Sequence, residues 1–251
     1  MPFGSIASEM DTRAISSILD GRPAGGSPGG TVTIANPARL DETVAEASLG
    51  DAGTFADACR RARGAQPAWA AVPAPVRGRA IQQLGRLVEE NAEALARLIT
   101  REIGKPIKES RGEVQEVIDT CSFFLGEGRR LYGQTVPSEM ADKQLFTFRA
   151  PVGACAIVTA GNFPVAVPSW YLVPALLCGN AVVWKPAEYS PALGDALARL
   201  FIAGGLPEGV LNLIQADGPA AFEGLEQRPQ RMQVMEPDAA ALKRYIAVHA
   251  Q

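Results

Sequence analysis

The stretch GNFPVAVPSWYLVPALLCGNAVVWKPAEYSP, residues 161–191, decides the fold. CAIVTA (155–160) stands just before it, and AVVWKP (181–186) lies inside it. Both are continuous apolar runs, without the alternation of a strand that faces water on one side. Strands buried on both faces of a parallel sheet have this composition. PSWYLVPALLCG, between them, reads as a helix, and Ser190 and Pro191 start another that reaches about Ala203. Farther along, 210–214 is a third strand, AAFEGLEQ a short helix and RMQVME a fourth strand. The end, DAAALKRYIAVHAQ, is a final helix. Strand and helix alternate from residue 153 onward, which predicts a doubly wound parallel α/β sheet over 151–251.

Upstream the period changes. Residues 1–30 close on GRPAGGSPGG and read as a mobile tail. Residues 31–132 form a mainly helical part. It opens with two short strands that turn at Asn36-Pro37, and Thr54 caps a helix that ends near Ala65. Pro73 and Pro75 begin the next helical run, with Ile81, Leu84, Leu87, Val88, Leu95, Leu98 and Ile99 at helical spacing. Asn91 marks a break in this run, Gly104-Lys105-Pro106 ends it, and a long helix follows from Ile107 to Leu131. Residues 133–150 are two extended segments around an acidic turn, a protruding β-hairpin.

Composition narrows the function. Hydrophobic residues make up 47% and charged residues 20%, with a net charge of −3. That balance gives no electrostatic case for nucleic acid. No apolar run reaches the roughly 18 residues of a membrane span, and the N-terminus does not read as a secretory signal, so the cytoplasm is the expected location. Cys59, Cys121, Cys155 and Cys178 are widely spaced, and the single histidine, His249, stands near the end. No metal site is expected, and no Cys/His or Ser/His/Asp triad. Buried, inert thiols are the expectation for most of the cysteines.

Several motifs occur in a fixed order: NPA (36–38), QPAWAAVPAPVRGRAIQQLGRLVEENAEALARLITREIGKP (66–106), GQTVP (133–137), FRAPVG (148–153), GNFP (161–164), PALLCGNAVVWKPAE (174–188) and GGLPEGVLNL (204–213). Together they resemble the aldehyde dehydrogenase superfamily, from Asn36 to about Gln227, over the first half of a typical member. The resemblance implies a Rossmann-like cofactor domain for NAD or NADP. It makes Asn162 the side-chain donor to the oxyanion formed when a thiolate attacks an aldehyde. Lys185 and Glu188 match the positions that hold the adenosine ribose, and Thr159 and Ala160 bring backbone to the nicotinamide side. Read from the residues alone, Asn162 is also an ordinary turn residue, and Lys185 and Glu188 an ordinary solvated strand-to-helix turn. Gly161 departs from the aromatic that many members carry there. Gly205, Pro207 and Gly209 read as turn residues.

The resemblance also sets expectations about what the chain lacks. The family's Phe-Thr-Gly-Ser phosphate turn is replaced by MEPD, which places Glu236 and Asp238 where the pyrophosphate would sit and makes cofactor binding doubtful; read from the residues alone, Asp238 is equally an N-cap for the final helix. The segments with the general-base Glu and the nucleophilic Cys have no counterpart, so the catalytic domain is expected to be absent. The leading expectation is a truncated homologue, a pseudoenzyme that binds or scaffolds. The alternatives are a repurposed enzyme using the old crevice, or the cofactor half of a split dehydrogenase. A homo-oligomer or a protein partner is expected through the hairpin from Gln134 to Arg149, whose strands pair across subunits in the family.

Overall fold

A computed structural model describes residues 14–227 and 233–235. Its strands are β1 (Ala14–Ile15), β2 (Ile18–Leu19), β3 (Arg22–Pro23), β4 (Thr31–Asn36), β5 (Arg39–Ser48), β6 (Thr135–Val136), β7 (Leu145–Phe146), β8 (Ala154–Val158), β9 (Ala181–Lys185), β10 (Leu211–Leu213) and β11 (Gln233–Met235). Its helices are α1 (Ala52–Ala71), α2 (Ala74–Glu90), α3 (Ala92–Ile103), α4 (Ile107–Glu127), α5 (Ala166–Leu177), α6 (Pro191–Ala203) and α7 (Gly218–Glu226).

The central sheet has the order β11-β8-β9-β10-β2-β3. β8, β9, β10 and β11 are parallel, as the sequence predicts, while β2 and β3 continue the sheet antiparallel. The fourth parallel strand returns to the far side of the first, so the order reverses at β8. In open α/β sheets ligands bind in the crevice outside the strand ends at such a reversal. β4 and β5 form a hairpin, with β1 parallel to β5. β6 and β7 form a separate hairpin.

Both faces of the sheet are covered. Ala154, Ala156, Ala181 and Val183 lie in one apolar cluster with Phe55, Ala58, Cys59 and Ala62 of α1 and Leu225 of α7. The small strand residues on this face let the helices come close. Ile157, Val182 and Trp184 point the other way, into the larger cluster that α2, α3, α4, α5 and α6 build.

Three local expectations are corrected. Residues 14–30 were expected as tail, yet 14–23 hold three short strands. The Asp20 amide donates to Asn212 Oδ1 at 3.0 Å, and the Gln215 amide donates to Ser17 Oγ at 3.0 Å. Residues 1–13 lie outside the described range. Asp51, not Thr54, is the N-cap of α1, and Thr54 completes a capping box with it. The helix then runs through Pro67 to Ala71. The long helix α4 stops at Glu127, before Gly128 and short of Leu131.

Helix α5 has no side-chain cap from its own N-cap residue, Val165. Glu113 of α4 supplies one, with Oε1 accepting from the amides of Val165 at 2.9 Å and Ala166 at 3.2 Å. At the other end, Trp69 Nε1 donates to the Leu176 carbonyl at 2.8 Å and Arg77 Nε to the Leu177 carbonyl at 2.7 Å. Gln66 Nε2 donates to the Gly179 carbonyl at 3.0 Å. Helix α6 is served in the same way, with Glu102 of α3 accepting from the amides of Ala192 at 2.7 Å and Leu193 at 2.9 Å. The orphan groups at these helix ends are satisfied by residues 52 to 113 positions distant in sequence.

Two expected outcomes follow. Arg77 is buried and also donates to the carbonyls of Ala70 and Val72. Arg77→Met leaves these acceptors dry and should lower unfolding free energy by about 3 kcal/mol in urea titration, whereas the exposed Arg79→Met should change it by less than about 0.5 kcal/mol. Equal effects would refute the capping role. Burial pushes the Glu102 carboxyl from 4.5 up to about 8, against the pull of its two amide donors, with nearby Asp195 adding to the rise. A carboxyl raised in the fold keeps its proton where the unfolded chain has lost it. Its contribution is complete below pH 4.5 and drains away as pH rises toward 8. Glu102→Gln keeps an acceptor and has no proton to lose, so its urea midpoint should gain on the native protein's between pH 5 and pH 8. Parallel pH curves would show that Glu102 does not titrate in this window.

Candidate functional site

The site is built at the carboxyl ends of β8 and β9, next to the reversal in strand order. Val158 stands opposite Lys185 in the ladder, and the Thr159 amide donates to the Lys185 carbonyl at 3.1 Å. The two strands thus deliver Thr159–Asn162 and Lys185–Tyr189 side by side.

Lys185 and Glu188 are not a solvated turn. The Lys185 side chain is only 4% exposed, and its Nζ meets Glu188 Oε2 at 2.7 Å. The Glu188 side chain is 40% exposed, so the pair has a buried cation behind a carboxylate that reaches solvent. An ammonium has three protons, and a carboxylate accepts several hydrogen bonds. A vicinal diol, with two hydroxyls that both donate and accept, matches that donor and acceptor set.

Thr159 is buried, and its Oγ1 accepts from Trp184 Nε1 at 3.0 Å. Its side chain therefore ties β8 to the largest fully buried side chain of β9. Ala160 is exposed at the strand end. Asn162 is exposed, and its carbonyl accepts from Lys105 Nζ at 2.8 Å. The Gly161 amide donates to the Tyr189 hydroxyl at 3.3 Å, and a Cβ at 161 would lie 2.3 Å from the Tyr189 ring. A side chain at 161 would have to displace the Tyr189 ring, which fills the space beside the loop. Asn162 and Tyr189 also border an open groove toward Ile34, Pro37, Lys105 and Glu109, which Lys185 and Glu188 do not line.

Lys105, Glu113 and Tyr189 escape a reading by motif. A signal for Glu113 exists: it falls on the buried stripe Ser110, Glu113, Val114, Val117 and Cys121 of α4. An acid on an apolar stripe has to have partners. Glu102 carries the same signal, following Leu95, Leu98 and Ile99 on α3.

The thiols are placed as expected for inert residues. Cys59, Cys121 and Cys155 are buried, and Cys178 is partly so. Burial pushes Cys121 up to about 12 and Cys155 up to about 11. It raises Cys178 as well, opposed by Arg77 and Arg149. Among the described residues no group of three or more His, Cys, Asp or Glu could hold a metal ion. No helix among them is long and apolar enough to cross a membrane. Glu236, Pro237, Asp238, the expected final helix and His249 lie outside the described residues.

Comparison with known proteins places this architecture. The model of the aldehyde dehydrogenase family matches residues 25–235. The chain is 36% identical over 198 residues to the alpha-ketoglutarate semialdehyde dehydrogenase of Haloferax volcanii, a match that covers 79% of this chain and 41% of that protein. It is 35% identical over 214 residues to GabD of Escherichia coli, a succinate-semialdehyde dehydrogenase named for NADP(+), covering 84% of this chain and 44% of that one. The crystal structure of an NAD-dependent aldehyde dehydrogenase from Sinorhizobium meliloti superposes with a TM-score of 0.82 at 30% identity, covering 89% of this chain and 44% of that chain. The chain spans less than half the length of these relatives. The ordered motifs and the sheet that reverses at β8 have one common explanation: the chain belongs to the aldehyde dehydrogenase family.

Proposed function

We propose that this chain is a nucleotide-binding half of aldehyde dehydrogenase type, which takes the adenosine ribose of NAD on Lys185 and Glu188. The observation that carries this reading is the buried Lys185 ammonium behind the half-exposed Glu188 carboxylate at the end of β9. Glu188 accepts from the ribose hydroxyls and Lys185 donates to them, while the β8 turn at Thr159 and Ala160 offers backbone to the rest of the cofactor. When bound, the cofactor supplies a hydride acceptor. Asn162 is the donor for an oxyanion on an aldehyde carbon. A carboxylate at the ribose favours the free 2′-hydroxyl of NAD over the 2′-phosphate of NADP, because like charges repel. The relatives named for NAD and for NADP(+) make either nucleotide a sensible probe.

The thiols argue against aldehyde oxidation on this chain's own cysteines. A thiolate is the nucleophile in thiohemiacetal formation, and burial holds Cys121 and Cys155 far above neutral pH. The reading is therefore of a binding half, a pseudoenzyme when by itself, that works with other copies or another chain. The hairpin is the surface proposed for that assembly. Phe148 is 85% exposed and Phe146 53%, with their rings 6.4 Å apart. The Thr147 amide is already used within the hairpin, on the Gln134 carbonyl at 2.9 Å. A proline at Thr147 would thus open the hairpin itself, and the exposed rings are the cleaner target.

Calorimetry tests the nucleotide reading. NAD should bind more tightly than NADP, and Lys185→Ala should weaken NAD at least about tenfold, the loss of roughly one charge-assisted hydrogen bond. Glu188→Gln should narrow the preference for NAD. No heat with either nucleotide, or an unchanged affinity in Lys185→Ala, would sink the reading. Light scattering after size exclusion tests the assembly. The native chain should elute as a dimer or larger, and a Phe146→Asp, Phe148→Asp variant should shift toward 26.5 kDa. A native monomer with no co-purifying chain would remove the hairpin from consideration.

A further inference from the structure

Lys105 stands where the chain leaves α3. Gly104 takes a φ of 75° to end that helix, and Lys105 then turns toward the Asn162 loop. Its ammonium meets three partners. It pairs with Glu113, their side chains being 11% and 1% exposed. It donates to the Asn162 carbonyl at 2.8 Å, and it lies 4.0 Å from the centroid of the Phe163 ring. The other oxygen of Glu113 holds the amides of Val165 and Ala166. One ion pair therefore grips the loop at 162, 163, 165 and 166.

Capping α5 does not require this cation. A neutral Gln at 113 could accept from the same two amides, and taking an ammonium out of water carries a desolvation penalty that apolar packing avoids. What the cation adds is its hold on the Asn162 carbonyl and the Phe163 ring. The residue before Asn162 is a glycine, the least constrained backbone available. Fixing the carbonyl at 162 fixes the peptide plane there, and with it the direction in which the Asn162 side chain leaves the backbone. A reacting geometry displaced by about an ångström can lose two orders of magnitude in rate.

We propose that Lys105 is a positioning residue for the Asn162 carboxamide, acting through the Asn162 carbonyl with Glu113 as its anchor. The purpose of that positioning rests on the reading of Asn162 as an oxyanion donor. The positioning itself is read without any cofactor.

The test uses 15N-labelled full chain. The side-chain amide pair of Asn162 is identified by its loss in Asn162→Ala. In Lys105→Met/Glu113→Gln, which removes the cation and keeps the cap, this pair and the backbone amides of 161–163 should shift and broaden. The amides of 185–188 should stay in place, and the urea midpoint should match that of Glu113→Gln. Lys105→Arg should restore the native Asn162 signals. If the Met variant does not fold, Lys105→Gln/Glu113→Gln, whose two amides can still pair, is read in the same way. An unmoved Asn162 pair overturns the proposal, and so does a change spread evenly over all amides. Failure of NAD to bind the native chain would overturn the nucleotide reading and leave the Asn162 result standing.

Discussion

Two buried carboxylates on the helical part of the chain, Glu102 and Glu113, close the N-termini of two helices that pack on the sheet. Each helix presents free amides and the positive end of its dipole, and each lacks a side-chain cap from its own first residue. A carboxyl group delivered from outside supplies the missing acceptors. Each of these carboxyls is itself buried, which is tolerable only while the amides stay in place as its partners. The helices of 92–127 and the α5 and α6 helices are consequently held in one arrangement, because displacing either side strands polar carboxyl or amide groups in a dry interior.

The same logic appears at the opposite end of α5. Trp69, Arg77 and Gln66 reach across from α1 and α2 to its last carbonyls and to the turn that follows. The helical opening and the α/β portion, which the sequence divides at a hairpin, are thus joined by directed polar contacts as well as by apolar area. α1 contributes Phe55, Ala58, Cys59 and Ala62 to the core on one face of the sheet. The Asn162 loop inherits this rigidity. Asn162 lies four residues before a helix whose two ends are both held from elsewhere.

What the sequence makes legible is whatever depends on local pattern. The unbroken apolar runs at 155–160 and 181–186 announce buried parallel strands, and the motif order announces the family. Lys185 and Glu188 are found by motif, and their pairing follows from a spacing of three across a strand end. What is lost depends on partners far along the chain. AISSILD at 14–20 has too few residues for any alternation to show, and its strands exist only because β10 and β5 accept them. The helix read as ending near Ala65 continues to Ala71, where Trp69 reaches the Leu176 carbonyl of α5 and Gln66 the Gly179 carbonyl of the turn after it. Lys105 looks like a punctuation residue in a Gly-Lys-Pro stop. Its partners, Glu113 and Asn162, lie 8 and 57 positions away.

The pairing of β2 with β10 bears on how the chain is made. Ser17 and Asp20 bond to Gln215 and Asn212, across 198 and 192 positions. The first strand of the sheet to leave a ribosome therefore waits for a strand synthesised nearly two hundred residues later. At about 5–20 residues per second, that wait lasts roughly 10–40 seconds. Throughout it, Ile18, buried in the finished molecule, has no β10 to pair with, whereas Ile15 in β1 pairs with the earlier-made β5. The parallel strands β8 and β9 are complete before β10, and the segment at 14–23 closes the edge after them. The segment at 14–23 thus joins the central sheet only once β10 has been made, and until then Ile18 is left for a chaperone to hold.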